Sequence, residues 1–398
     1  MKIKNYNVSL YVFSLSLVAA VTVVAFVWQT DMTLAKTTES PRMTSSPSIA
    51  ANVSVSIIAS GLDNPRGLAF GPDGAVYVAE AGRGGLGPCG AGPEGPRCFG
   101  ESGAITRIDL RKGGAKRIAS GLPSLATDGN FATGIHDIGF QGRGNAYLTT
   151  GFAGDPADRE ALFGAAGANF GRLARVTPSG AFTLHEDLAG YEAAENPTGD
   201  EVDSNPYGLL ALPGKRVVAD AGANALNQVT NNGSISTLAI FPDRLVDAPP
   251  FLELPPGTQI PMDSVPTSVA LGPDSHYYVG QLTGFPFPVD DANVYRVAAN
   301  GGAAEVYSGG FTAIVDVAFG PDGSMYVVEL AKNGLLAAFI DGDWTGALIR
   351  VASDGTRTEI APGVLFAPGG LAVGSDGTLY VSNNSIFSGT GEVLRIEQ

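Results

Sequence analysis

The chain has 398 residues, with Gly 54, Pro 26, 44% apolar and 16% charged residues. This composition suits a folded, turn-rich protein and excludes disordered, collagen-like and coiled-coil classes. A net charge of −15 excludes duplex nucleic acid as the natural partner, because phosphate binding needs clustered Lys and Arg.

The N-terminus reads as a targeting segment: Lys2 and Lys4, an apolar run from Val8 to Trp28, then Thr33-Leu34-Ala35 as a small-residue cleavage site. Residues 1–35 are therefore expected to be a signal peptide or, uncleaved, a single-span anchor. Either outcome exports the rest of the chain to a periplasmic or extracellular location, with membrane contact only if the segment stays. Residues 36–52 are Ser/Thr/Pro-rich and read as a disordered tether. In an oxidising compartment Cys89 and Cys98, flanking a Gly/Pro-rich loop, are expected to form a local disulfide. Two thiols without a nearby His make an incomplete zinc site, so no metal is assigned to them.

From residue 53 onward the chain is repetitive. The run NPRGLAFGPDGAVYVAE from Asn64 recurs, with variation, from Gly134, Asn205, Val265, Ala313 and Ala367. Each copy is an apolar strand, a turn of the Pro-Asp-Gly kind and a second strand; Asp-Gly suits the turn because Gly accepts positive φ. A third strand follows each copy, with Arg107, Arg175, Gln228, Arg296, Arg350 and Arg395 in register. Fourth strands follow five copies, but the sixth ends at Gln398. The missing strand lies at the other end: VSIIASGL from Val55 matches AKRIASGL from Ala115. Residues 53–398 thus predict an all-β fold, a six-bladed β-propeller with four-stranded blades whose ring is closed by the N-terminal strand.

In such a ring the segments before strand one and after strand two share a face. Long inserts collect there, and long loops on a rigid scaffold are the usual place for binding. Residues leading into strand one form one candidate ring: Arg66, His136-Asp137, Tyr207, Thr267-Ser268, Val315-Asp316 and Gly369. Residues leaving strand two form another: Glu80, Thr150, Asp220, Gln281, Glu329 and Asn383. Polar ends can simply meet solvent, or grouped carboxylates over the channel can bind a divalent cation or act as acid and base. His136 is the only histidine in either ring, and it reads either as a structural histidine or as a base assisted by Asp137, Asp316 or Glu329. The Phe285-Pro-Phe287-Pro loop reads either as a wall for a flat aromatic ligand or as a plug over the channel.

The runs LDNPRGLAFGPDGAVYVAEAGRGG, DSNPYGLLA, VGQLTGFPFP and FGPDGSMYVVEL resemble the ScyD/ScyE family. These are exported, cyanobacterial-type proteins associated with gene clusters for the indole-phenol pigment scytonemin. The resemblance implies an exported propeller and supplies no catalytic residues. More widely, the repeats are similar to NHL-type and gluconolactonase-type propellers. Calcium-dependent lactonases carry Asn or Asp before the Gly of strand one, where this chain has Arg66, His136, Tyr207, Thr267, Val315 and Gly369. The stretch from His136 to Asp155 is similar to quinoprotein sugar dehydrogenases, whose later Arg-Asn pair is replaced here by Ser204-Asn205.

Two functions follow as expectations. One is a binding propeller that takes a small aromatic molecule, or a protein, on the loop-rich face through Arg66, Glu80, Tyr207, Asp220, Gln281, Phe285 and Phe287. The alternative is an envelope enzyme acting on an aromatic or lactone-like metabolite with His136 as base.

Overall fold

Alternating apolar positions in each repeat bury one face of a strand against the next blade, and this pattern builds the whole molecule. The computed structural model describes residues 48–49, 53–142 and 145–398. The expected signal or anchor segment, residues 1–35, lies outside the described residues.

Six antiparallel sheets of four core strands follow one another around a central channel. Their inner strands are Pro65–Phe70, Ile135–Gln141, Pro206–Leu212, Pro266–Leu271, Ile314–Phe319 and Gly370–Val373. Blade 6 takes its fourth strand from the start of the domain: Ser54–Leu62 pairs antiparallel with Gly391–Glu397, from Ser54↔Glu397 to Leu62↔Gly391. This closure removes the open edge that the last blade would otherwise present. Ser48 and Ile49, within the stretch read as a disordered tether, pair in parallel with Thr358 and Glu359 on the outer strand of blade 5.

The core lies between blades. Leu68, Val76 and Val78 of blade 1 pack with Ala372, Tyr380 and Val393 of blade 6 and with Ala59 and Leu62 of the closing strand. Equivalent clusters join the other blades. Side chains also stitch neighbouring blades around the channel. Asp137 accepts the Leu209 N–H at 2.7 Å, Asp316 accepts the Leu371 N–H at 2.7 Å, and the Thr267 hydroxyl donates to the Ile314 carbonyl at 2.7 Å. Gly67 is required beside Asp137, since a Cβ there would sit 1.9 Å from Oδ1.

The in-register arginines belong to the opposite, tight-turn face. Arg107 Nε donates to Asp73 at 2.7 Å, Arg296 Nε to Asp274 at 2.8 Å and Arg350 Nη2 to Asp322 at 2.7 Å. Tyr77 and Tyr278 donate to the same turn aspartates. Exposed pairs of this kind contribute little stability each, but they order the Pro-Asp-Gly turns. Blade 2 lacks the turn Asp, and its Arg175 lies over the Tyr147 ring instead.

Candidate site at the channel mouth

The inner strands of blades 1 to 3 bring Arg66, His136 and Tyr207 to the loop-rich end of the channel. His136 is 2% exposed, and its ring centroid lies 4.5 Å from that of Tyr207. Its Nδ1 is 3.3 Å from the Pro206 carbonyl. A carbonyl only accepts, so the neutral ring carries its proton on Nδ1 and leaves the Nε2 lone pair free. Burial first, then the Arg66 charge, push the His136 pKa down to about 3. His136 is therefore uncharged at neutral pH, and so weak a base is poorly matched to proton abstraction there. Gly151 closes over this ring, where a Cβ would lie 2.0 Å from Cε1.

Arg66 is 8% exposed; its Nη2 donates to the Ala132 carbonyl at 2.8 Å, and its buried Nε has no partner. Arg97, 4% exposed, reaches the same region from the blade 1 insert. Its guanidinium donates to the carbonyls of Phe152, Ala153 and Ala91 and lies over the rings of Phe152 and Phe163. Burial lowers its pKa to about 10, while Glu94 and Asp203 act in the other direction. Among the described residues neither Arg66 nor Arg97 forms an ion pair within 4.0 Å.

Cys89 and Cys98 are joined by a disulfide that closes the loop carrying Glu94. Glu94 is exposed to solvent. Asp203 accepts the Gly154 N–H at 2.7 Å, and burial with the nearby Asp220 charge pushes its pKa up to about 6.

One level deeper, Asp137 and Asp316 are partly accessible within the channel wall. Burial raises both, Asp316 to about 7, and the Asp316 charge adds to the rise at Asp137. Each carboxylate already accepts two backbone N–H groups. They act as blade-to-blade staples.

The residues leaving strand two do not join this group. Glu80, Asp220, Gln281, Glu329 and Asn383 each bond, within their own blade, the chain leading into the inner strand, and the Thr150 hydroxyl bonds Arg172 of the third strand. Glu80 accepts the Asp63 N–H at 2.9 Å, Asp220 the Asn205 N–H at 2.6 Å, Glu329 the Thr312 N–H at 2.8 Å and Asn383 the Phe366 N–H at 2.8 Å. Gln281 Nε2 donates to the Ser264 hydroxyl at 3.1 Å, and its Oε1 accepts the Asn293 N–H. Glu80 is further bound by Thr106 and Arg117. Phe285 and Phe287 also stand apart from His136. Phe285 packs on Phe251 and Phe287, and Phe287 rests on the blade 5–6 core. Phe131, from the link between blades 1 and 2, joins Phe339, Trp344 and Phe387 in an aromatic roof over blades 5 and 6.

Arg97 and Glu94 escape sequence reasoning because they lie in an insert outside the repeat; the disulfide next to Arg97 is the one signal that could have drawn attention to it. An apolar cleft of about 550 Å³ lined by Phe70, Phe319 and Val373 opens on the opposite, tight-turn face. Among the described residues no three His, Cys, Asp or Glu side chains are grouped to hold a metal ion. Among them, too, no helix is long and apolar enough to cross a membrane.

Comparison with known proteins supports the architecture. No protein-family model matches the chain, and no curated protein sequence does. Among solved structures, the PQQ-bound aldose sugar dehydrogenase of Streptomyces coelicolor is 14% identical, covering 88% of this chain and 99% of that one, with a TM-score of 0.51. The calcium structure of a Trichoderma reesei family AA12 protein is 14% identical over 88% of this chain and 97% of that one, with a TM-score of 0.50. A virginiamycin B lyase of Staphylococcus aureus is 13% identical over 87% of this chain and 99% of that one, with a TM-score of 0.47. The chain is a six-bladed β-propeller with four-stranded antiparallel blades. Identities this low speak for the fold alone.

Proposed function

We propose that this is an exported propeller of the ScyD/ScyE type that binds a small aromatic ligand at the loop-rich mouth of its channel. One observation carries the reading: a neutral His136, its ring tilted 39° against Tyr207, lies beside two buried guanidiniums that have no ion pair among the described residues. Buried arginine charge without a carboxylate partner costs stability, which is commonly tolerated where a ligand completes the pairing. The half-buried Tyr207 ring offers an aromatic face and Arg66 a polar anchor, both held by rigid inner strands. The resemblance of the repeat runs to the ScyD/ScyE family supports export.

The test is titration of the purified domain, residues 53–398, with indolic and phenolic compounds, with and without a divalent metal, followed by calorimetry and product analysis. Saturable binding without turnover, weakened in Tyr207→Ala, is expected. Turnover abolished by His136→Ala would instead assign an envelope enzyme.

A further inference from the structure

We infer that residues 36–47, which precede the strand Ser48–Ile49 and lie outside the described residues, are a docking arm: they occupy the cleft between blades 5 and 6 on the tight-turn face, with Arg42 set among its carboxylates. The inference is independent of the binding reading above. It makes the arm, and with it any retained anchor, leave the propeller from the face opposite the channel mouth.

Strand pairing places Ser48. It stands opposite Thr358, and Ile49 opposite Glu359, parallel to the outer strand of blade 5. Thr358 is opposite Arg350 in the third strand, and Arg350 is opposite Tyr326 in the second. Ser48 thus ends a row across the blade, two strand spacings, or roughly 10 Å, from Arg350. Because the pairing is parallel, the chain enters Ser48 from the side of Arg357 and the 352–356 turn, which is the tight-turn face.

A cleft of about 530 Å³ opens beside that row. Tyr326, Arg350 and Asp322 of blade 5 line one side, and Asp376, Glu397 and Gln398 of blade 6 line the other. Its charges do not balance. Asp322 pairs with Arg350 at 2.7 Å and Glu397 with Arg395 at 2.7 Å, while Asp376 has no ion pair within 4.0 Å among the described residues. A cation is the complementary occupant. Between Lys36 and Ser48 the chain offers one, Arg42. Six residues of extended chain reach about 20 Å, twice the span to the cleft. Pro41 and Pro47 favour extended backbone over helix. Exposed ion pairs are weak singly, but so short a tether holds Arg42 at an effective concentration on the order of millimolar, and a weak contact then suffices.

The test is hydrogen exchange, read by mass spectrometry, on the full-length protein purified after export. Amides of residues 43–46 should exchange about tenfold more slowly in wild type than in Arg42→Glu or Glu397→Lys, and the double charge swap should restore the slow rate to within about twofold. Glu397 is exposed, so its substitution leaves the core alone; Asp376→Asn, which still accepts the Thr378 N–H, replaces it as the single variant if it does not fold. Equally fast exchange in wild type and Arg42→Glu overturns docking. Slow exchange that ignores both single variants, or a double swap that stays fast, overturns the placement of Arg42 in this cleft. Protection that falls on dilution gives the arm to a second copy and overturns docking within one chain. An exported protein whose N-terminus lies beyond Arg42 has no arm, and overturns the inference outright. None of these outcomes touches the reading of the channel mouth, which the ligand titration decides.

Discussion

The ring is held shut by one strand from the start of the domain, and that strand can be weakened at a single atom cluster. Leu62 is 3% exposed and packs among Leu68, Val78, Tyr380 and Val393 across the seam between blades 6 and 1. Ile57, on the same strand, is 59% exposed and serves as the control. Truncating a buried leucine to alanine costs about 2–5 kcal/mol, part transfer free energy and part residual cavity. A folded unit of this size has an unfolding entropy of about 0.7 kcal/mol/K, so Leu62→Ala should lower Tm by roughly 3–7 °C. Ile57→Ala should change Tm by less than about 1 °C, since exposed substitutions stay within about 0.5 kcal/mol. Differential scanning calorimetry of both variants, beside a deletion of residues 53–62, makes the comparison. The deletion should unfold the ring as a whole, because the edge of Gly391–Glu397 is laid open. Equal melting of Leu62→Ala, the deletion and the wild type would falsify closure by this strand.

Other consequences are open to simple measurement. Burial first, opposed by the Thr312 N–H, raises the Glu329 pKa to about 8. The folded state therefore holds this proton more firmly than the unfolded chain, so the contribution is complete below about pH 4.5 and is lost as pH rises toward 8. Denaturant midpoints should fall over that window, and Glu329→Gln, which still accepts the Thr312 N–H, should flatten the fall; an unchanged slope refutes the assignment. Asp316→Asn turns an amide NH₂ toward one of two backbone donors, Val317 or Leu371, and should cost about 1–3 kcal/mol by leaving that N–H unpaired. An unaltered unfolding midpoint would remove Asp316 as a blade staple. Mass spectrometry of the protein alkylated without reductant should find no modified cysteine, and Cys98→Ser should lower stability by about 2–3 kcal/mol for so short a loop.

Much of the scaffold is legible in the chain because its determinants are local. Asp-Gly turns, period-two burial and strand lengths are set within a few residues, and their sixfold repetition leaves a closed ring as the economical way to bury every blade face. The likeness of VSIIASGL to AKRIASGL announces the closing strand, and the spacing of Cys89 and Cys98 announces their bond.

The direction of polar side chains at strand ends was decided only by tertiary structure. Glu80, Asp220, Gln281 and Glu329 look like a funnel in sequence, yet each bonds a backbone donor 12 to 17 residues away in its own blade. A buried backbone N–H without a partner is costly, and satisfying it outweighs any convergence on the channel. Arg97 meets its acceptor carbonyl across a separation of 55 residues, which no periodicity encodes. His136 and Arg66 were visible as types at suggestive positions. The neutral state of His136 comes from burial between neighbouring blades, and that environment exists only once the ring has closed.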